Sequence, residues 1–337
     1  MGINENPTKL KPSDFASDQE VRWCPGCGDY AILKAVQKCL AELNADTAKT
    51  VFVSGIGCAS RLPYYMSTYG FHTIHGRAPA FATGIKITNP ELDVWIITGD
   101  GDALSIGGNH LIHILRRNLD CQILLFNNEI YGLTKGQASP ASRSGTVSPS
   151  TPDGSHESPL SACELALSSG ATFVARGIDT SIKQLIPTLI QAKEHKGSSF
   201  IEIFQNCIVY NDGVFNSFTE KSNLENKQIH VENGKPLIFG QNNNKGLTIN
   251  DNHSALEIID LDKDKDKLNK VIVHDETNKF VAYLLTQMKE PDFPVAIGVL
   301  YRVPKSTLDE HYTKANGLNK NKIDQVIYKG QTWTINE

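Results

Sequence analysis

The sequence lacks any run of about 18 apolar residues, the length that a membrane-spanning helix requires. Its first residues, MGINENPTKLKPSDF, contain no apolar stretch typical of a secretory signal, so we expect a cytoplasmic protein without a membrane anchor. A large excess of positive or negative charge is also missing, since the net charge is only −4. Nucleic acid is not an expected partner, because surfaces that bind it carry a strong positive charge.

Regularly spaced, paired cysteines are absent as well. The seven cysteines are odd in number and irregular in spacing, which argues against a disulfide framework. Cys39, Cys121 and Cys163 lie in apolar helix or strand patterns, and we predict that they are buried packing residues. The other four lie at or beside predicted strand ends or loops: Cys24, Cys27, Cys58 and Cys207.

Strand patterns alternate with helix patterns through the first two thirds of the chain. The predicted strands are TVFVSG, DVWIITGDG, CQILLFNN, ATFVAR and SFIEIFQNC, and the predicted helices between them include DYAILKAVQKCLAEL, with Asp29 as its N-cap, and ALSIGGNHLIHILRRN. This alternation predicts an α/β fold with a doubly wound, mostly parallel sheet and helices on both faces. A long polar loop at 136–159 follows a strand end, at the sheet edge where such folds bind ligands.

The pattern weakens beyond residue 212. We therefore divide the chain into an N-terminal arm at 1–19, a main domain at 20–215 and a C-terminal extension at 216–337. The segment DFPVAIGVLYRV predicts one late strand within the extension.

The most informative segment runs from GDG at 99–101 to NN at 127 and 128. Each motif ends an apolar strand, and a helix lies between them. Asp100 would lie at the amino end of that helix, where a phosphate is favoured, and Asn128 would reach the same edge. A carboxylate, an amide oxygen and a backbone carbonyl suit Mg²⁺ held jointly with a diphosphate. An isolated GDG would be an ordinary turn; the spaced pair is more specific.

The GDG and NN motifs resemble the thiamine-diphosphate signature. The resemblance implies that Asp100, Asn128 and the backbone carbonyl of Ile130 bind Mg²⁺. It also implies a sheet of the pyrophosphate-binding (PP) type in which a further set of residues lines the cofactor site: Ile56, Gly57, Cys58, Ala59, His75, Gly101, Asp102, Gly132 and Leu133.

The opening CxxC, Cys24 and Cys27, fits a redox dithiol, half of a zinc site or half of an iron–sulfur site. The dithiol is disfavoured because Pro25 and Gly26 do not follow an entry strand. Four thiolates from distant loops suit a 4Fe–4S cluster and, on chemistry alone, zinc equally well.

An ordered set of motifs resembles the β subunit of 2-oxoacid:ferredoxin oxidoreductases, most closely the 2-oxoglutarate enzymes. The set is WCPGCGDY, GIGCAS, HTIHGRAPAFATGIKITNP, GDGDALSIGGNH, NNEIYGLTKGQASP and NCIVYND, across 20–215. The resemblance implies one 4Fe–4S cluster on Cys24, Cys27, Cys58 and Cys207. It further implies that 2-oxoglutarate is oxidatively decarboxylated with coenzyme A and that electrons pass to ferredoxin.

The same resemblance suggests substrate contacts. His75 and Arg77 are of types that bind a carboxylate or a diphosphate, although a structural turn explains them equally simply. Lys135 is a candidate for the distal carboxylate of 2-oxoglutarate, although a lone loop lysine is usually solvated.

The resemblance implies a second domain whose glutamate activates the cofactor, and the sequence shows no second set of alternating strand and helix patterns. The resemblance implies that an α subunit supplies its glutamate, so we expect an obligate hetero-oligomer, αβ or α2β2. Three alternatives stay open: a pyruvate or broad 2-oxoacid enzyme, a non-redox thiamine-dependent decarboxylase subunit, and a zinc-stabilised, non-catalytic nucleotide-binding scaffold.

Overall fold

The computed structural model of the chain describes residues 9–250, 252 and 255–316. The outer parts of the predicted N-terminal arm and C-terminal extension, at 1–8 and 317–337, lie outside these residues. The strands are β1 (Thr50–Ser54), β2 (Tyr69–His72), β3 (Asp93–Gly99), β4 (Cys121–Asn127), β5 (Ile130–Tyr131), β6 (Gln137–Ala138), β7 (Phe173–Ile178), β8 (Ser198–Phe204), β9 (Gln228–Val231), β10 (Ile238–Phe239), β11 (Lys245–Ile249), β12 (Leu256–Asp260) and β13 (Val295–Arg302).

The largest sheet has eight strands in the order β2–β1–β3–β4–β8–β7–β13–β9. The neighbouring pairs β2–β1, β1–β3, β3–β4, β4–β8 and β8–β7 are all parallel. Strand β13 is antiparallel to β7 and parallel to β9. A small antiparallel sheet contains β10, β11 and β12, and β5 pairs with β6. The predicted α/β fold with a mostly parallel sheet is confirmed.

The helices are α1 (Asp29–Glu42), α2 (Ala78–Thr88), α3 (Asp100–Leu104), α4 (Gly108–Arg117), α5 (Ala162–Ser168), α6 (Ile182–Glu194), α7 (Asn216–Thr219), α8 (Leu224–Lys227), α9 (Lys279–Gln287) and α10 (Leu308–Asn316). The main sheet separates two apolar cores. Val51 and Val53 pack with α2, α4, α5 and α9, whereas Phe52 packs with α1 and α6 on the opposite face. This alternation follows from the two-residue side-chain period of a strand.

Two local predictions are wrong. The segment predicted as one helix, ALSIGGNHLIHILRRN, forms α3 and α4, because the chain turns at Ser105 and brings Gly107 against the carbonyl of Asp102. Asp29 is not the N-cap of α1; it is the first helical residue, and its carboxylate is buried. The predicted burial of Cys39, Cys121 and Cys163 is confirmed.

The segment predicted as a C-terminal extension contributes two strands, β9 and β13, to the main sheet. The late strand predicted in DFPVAIGVLYRV is β13. The division of the chain at residue 215 stays a prediction. In the part of the chain that the structure describes, no helix has the length and apolar character needed to cross a membrane.

Candidate active site and an adjoining cysteine cavity

The candidate site lies where β1, β3 and β4 end. These strands are parallel neighbours, so their carboxyl ends meet at one edge of the sheet. The turn GIGC follows β1, GDG begins at the last residue of β3, and the NN motif begins at the last residue of β4. Open α/β sheets bind ligands at this edge.

A pocket of about 230 Å³ opens at this edge, and we call it the edge pocket. All nine residues predicted to contact the cofactor line it, together with the three predicted magnesium ligands: Ile56, Gly57, Cys58, Ala59, His75, Gly101, Asp102, Gly132, Leu133, Asp100, Asn128 and Ile130. The fold therefore gathers segments that are far apart in the sequence around one cavity.

Asp100 is the buried acid of the edge pocket. Its side chain is 2% exposed, and its Oδ2 accepts a hydrogen bond from the Ser139 hydroxyl at 2.5 Å. Burial raises the pKa of Asp100 to about 7, although hydrogen bonds from Ser139 and nearby backbone groups lower it. A cation beside this carboxylate would stabilise its charged form.

Asn128 faces the same pocket with its amide oxygen held in a defined direction. Oδ1 accepts from the backbone N–H of Ile130 at 3.1 Å and retains a second lone pair. The carbonyl of Ile130 accepts from the Gly132 N–H and likewise has a lone pair left. One carboxylate, one amide oxygen and one carbonyl are thus the donor set that Mg²⁺ takes beside a diphosphate.

Asp102 joins three segments around the pocket. Oδ1 accepts from the backbone N–H groups of Ile56 and Gly76 at 3.1 and 2.8 Å, and Oδ2 accepts from the Thr98 hydroxyl at 2.7 Å. A Cβ at Gly55 would lie 1.9 Å from Oδ2, so only glycine fits there. Asp102 therefore lines the pocket while its carboxylate binds the protein's own donors.

The three predicted substrate residues lie in different places. His75 lines the edge pocket. Arg77 is the N-cap of α2 and is not among the residues that line the pocket in the described part of the chain. Lys135, which has a left-handed backbone with φ +75°, lines the neighbouring cavity.

That neighbouring cavity, the cysteine cavity, also has a volume of about 230 Å³. Cys24, Cys27, Cys58 and Cys207, the four cysteines that the family resemblance groups together, all line it. It shares four lining residues with the edge pocket: Cys58, Asn128, Gly132 and Leu133. The two cavities are therefore contiguous.

The walls between the cavities are tightly packed. A Cβ at Gly132 would lie 3.3 Å from the Cys207 sulfur and 3.7 Å from the Cys58 sulfur. Burial raises the pKa of Cys58 to about 12 and that of Cys27 further, so both thiols need a cation to ionise at neutral pH. Among the described residues, no three His, Cys, Asp or Glu side chains converge on a position for a single metal ion.

The structure adds residues that the sequence reasoning missed. The hydroxyl of Tyr131 donates to the Gly101 carbonyl at 3.1 Å across the edge pocket, and Ser139 binds Asp100 from the long polar loop. Gln205 lies buried between Asn128 and Cys27. The only signals in the sequence were the position of Ser139 in a loop at the ligand edge and of Gln205 two residues before Cys207.

Comparison with known proteins extends this picture. Residues 55–203 match the family "Thiamine pyrophosphate enzyme, C-terminal TPP binding domain". The chain is 42% identical to a 2-oxoglutarate oxidoreductase subunit KorB of Mycobacterium tuberculosis, over 99% of this chain and 91% of that protein. It is 52% identical to the β subunit of 2-oxoacid:ferredoxin oxidoreductase 1 of Aeropyrum pernix, over 56% of this chain and 60% of that one.

A solved structure is similar over nearly the whole chain. It is a 2-oxoglutarate:ferredoxin oxidoreductase from Magnetococcus marinus with 2-oxoglutarate, coenzyme A and succinyl-CoA bound. The TM-score is 0.75 at 30% identity, with 97% of this chain and 98% of that chain covered. The fold and the edge pocket define a thiamine-diphosphate-binding enzyme domain. More narrowly, the chain belongs to the β subunits of the 2-oxoacid:ferredoxin oxidoreductases.

Proposed function

We propose that this β subunit serves a 2-oxoglutarate:ferredoxin oxidoreductase, which converts 2-oxoglutarate and coenzyme A into succinyl-CoA and CO₂ and delivers electrons to ferredoxin. The observation that carries the proposal is that the edge pocket and the cysteine cavity share a wall. A decarboxylase without redox chemistry needs the first cavity only. Four cysteines around the second one would provide an electron acceptor beside the reacting cofactor.

The edge pocket fits thiamine diphosphate and Mg²⁺. Asp100, Asn128 and the Ile130 carbonyl would hold the ion. Burial raises the pKa of the Asp100 carboxyl group, and a bound cation would lower that pKa again. Gly101 and Gly132 line the pocket, and a Cβ at Gly101 would lie 2.2 Å from the Tyr131 ring, so the close contact of that ring requires glycine. Thiamine diphosphate, when bound, accepts the electron pair that loss of CO₂ leaves behind.

The cysteine cavity offers the four thiols that a 4Fe–4S cluster binds. Cys24, Cys27, Cys58 and Cys207 all line it. In such a cluster each thiolate binds a different iron. Zinc, which takes four thiolates around one point, is the alternative that metal analysis tests.

The substrate assignment follows the relatives whose names specify 2-oxoglutarate. His75 reaches the edge pocket and would contact the cofactor or the reacting carboxylate. Lys135 lines the cysteine cavity beside Leu133, a residue common to both cavities, where it would meet a distal carboxylate. Arg77, the N-cap of α2, would act from two residues after His75 in the chain. Pyruvate, which lacks a distal carboxylate, is the alternative substrate.

An α subunit would complete the site, in an αβ or α2β2 assembly. Large apolar side chains stand exposed beside the edge pocket: Ile74, next to His75, is 63% exposed and Ile106 is 67% exposed. A partner would cover them. We expect this partner to supply the cofactor-activating glutamate and contacts to coenzyme A, in a cytoplasmic complex that donates electrons to ferredoxin.

The test is metal analysis of the anaerobically purified complex, co-expressed with its partner subunit. We expect about four irons and four acid-labile sulfides per β chain. A Cys207→Ser variant should lose them, whereas Cys39→Ala, which removes a buried cysteine of the core, should keep them. The intact complex should also reduce ferredoxin with 2-oxoglutarate and coenzyme A. Zinc in place of iron would support a scaffold, and no metal besides Mg²⁺ would support a non-redox decarboxylase.

A further inference from the structure

Gln205 lies between the two proposed metal centres. It follows β8 directly, and its side chain is 1% exposed. Its backbone N–H donates to the Asn127 carbonyl at 2.9 Å, which extends the pairing of β8 with β4 beyond the ends of both strands. The side chain therefore sits beside the NN motif and lines the cysteine cavity.

On one side, Gln205 holds Asn128. The Oε1 atom of Gln205 accepts a hydrogen bond from Asn128 Nδ2 at 2.9 Å. On the opposite side of the Asn128 side-chain amide, Oδ1 accepts a hydrogen bond from the backbone N–H of Ile130. These two bonds together fix which end of the Asn128 amide faces the proposed Mg²⁺.

On the other side, Gln205 reaches the cysteine cavity. Its Nε2 donates to the Asn206 carbonyl at 2.6 Å and to the Cys27 sulfur at 3.3 Å. Because a carbonyl only accepts hydrogen bonds, Asn206 fixes the amide nitrogen of Gln205 on the cysteine side. Hydrogen bonds to ligand sulfurs stabilise the added negative charge of a reduced cluster and so raise its reduction potential.

We propose that Gln205 is a positioning residue shared by both centres: it aims the oxygen of Asn128 at Mg²⁺ and, through Cys27, raises the reduction potential of the cluster. The inference rests on the proposed function, because it assumes both metal centres. It assigns to one buried amide two roles, one as acceptor towards Asn128 and one as donor towards Cys27.

Two substitutions separate these roles. Gln205→Met has similar length and no charge, and it removes both the donor and the acceptor. Gln205→Glu keeps acceptor oxygens for Asn128 but, when ionised, has no donor for Cys27. A matched control is Gln191→Met on α6, a partly exposed glutamine that lines neither the edge pocket nor the cysteine cavity.

The experiment uses the complete complex, purified anaerobically with the partner subunit. Two quantities are measured: the midpoint potential of the cluster, by redox titration followed by electron paramagnetic resonance, and the Mg²⁺ concentration needed to retain thiamine diphosphate on gel filtration. For Gln205→Met we expect a more negative potential and a Mg²⁺ requirement raised roughly tenfold. Gln205→Glu should show the more negative potential with a nearly normal Mg²⁺ requirement.

A Gln205→Met complex with wild-type potential and wild-type Mg²⁺ requirement would overturn the inference. If Gln205→Met fails to bind iron, the Gln205→Glu variant provides the test. A wild-type midpoint potential in Gln205→Glu would show that the hydrogen bond from Gln205 to Cys27 does not raise the potential. A wild-type complex without iron would contradict the proposed function itself. If the wild-type complex contains the cluster and Gln205→Met changes neither the midpoint potential nor the Mg²⁺ requirement, the role of Gln205 alone is contradicted.

Discussion

The hydroxyl of Ser139 donates to Oδ2 of Asp100 at 2.5 Å, and both side chains are buried. Ser139 belongs to the long polar loop, whereas Asp100 begins α3 at the end of β3. From the same loop, Ser142 donates to the Glu129 carbonyl at 2.5 Å, beside the NN motif. The loop thus holds both halves of the proposed magnesium site.

We predict that Ser139→Ala weakens Mg²⁺ binding. Loss of the hydroxyl removes the group that fixes the direction of the Asp100 carboxylate and supports its charge. Losing a residue that orients a metal ligand typically costs roughly 10- to 100-fold in metal affinity. The measurement is a Mg²⁺ titration of thiamine diphosphate retention in the complex. Ser139→Thr, which keeps a hydroxyl, is the control, and an unchanged midpoint in Ser139→Ala would show that Asp100 is positioned without Ser139.

Lys135→Ala should selectively impair 2-oxoglutarate. A charged hydrogen bond contributes about 1.5–3 kcal/mol, so we expect a rise in KM for 2-oxoglutarate of roughly 10- to 100-fold. Pyruvate has no distal carboxylate, and its kinetic constants should stay unchanged. Lys183→Ala, on the exposed side of α6, is the matched control. Equal effects of Lys135→Ala on both substrates would remove this lysine from the specificity argument.

The buried ion pair of Arg176 and Glu202 contacts the NN motif through the side chain of Asn127. Arg176 Nε lies 2.8 Å from Glu202 Oε2, and Asn127 Nδ2 donates to Glu202 Oε1 at 2.8 Å. Arg176→Met would leave a buried carboxylate without its cation, and we expect the free energy of unfolding to fall by about 3–5 kcal/mol.

Urea denaturation of the purified complex, co-expressed with its partner subunit, measures this change. The control is Lys49→Met, which breaks an exposed ion pair with Glu91 and should change the free energy of unfolding by less than about 1 kcal/mol. Similar effects of the two substitutions would mean that the buried pair is not strongly coupled to stability.

His195 should make stability depend on pH. Burial chiefly, with the Arg302 cation nearby, lowers its pKa to about 4, although Asp120 opposes the shift. Its Nε2 lies 2.8 Å from the Thr172 hydroxyl. The unfolded chain takes up a proton near pH 6.5 whereas the folded chain does not, so this contribution is complete above about pH 6.5 and is lost towards pH 4.

His195→Gln keeps a hydrogen-bond donor but does not titrate. We expect its free energy of unfolding to fall less than that of the wild type between pH 7 and pH 5, as measured by urea denaturation at both values. Parallel pH curves for the two proteins would contradict the prediction.

The sequence by itself determined the class of fold and the main parts of the site. Apolar strands alternating with helices required a parallel sheet, and the carboxyl ends of parallel strands share an edge. For that reason the sequence places the GDG and NN motifs and Cys58 at one edge of the sheet. The resemblance to the thiamine-diphosphate signature, and not the periodicity, supplied the nine cofactor contacts, and all nine line the edge pocket.

Only the tertiary structure decided which groups hold those residues in place. Asp102 binds three backbone or hydroxyl donors from separate segments, and Gln205 joins Asn128 to Cys27. The break between α3 and α4 likewise depends on the contact of Gly107 with the Asp102 carbonyl. Periodicity reports which face of an element is buried. It carries no information about hydrogen bonds between residues distant in sequence, because those depend on how whole elements pack together.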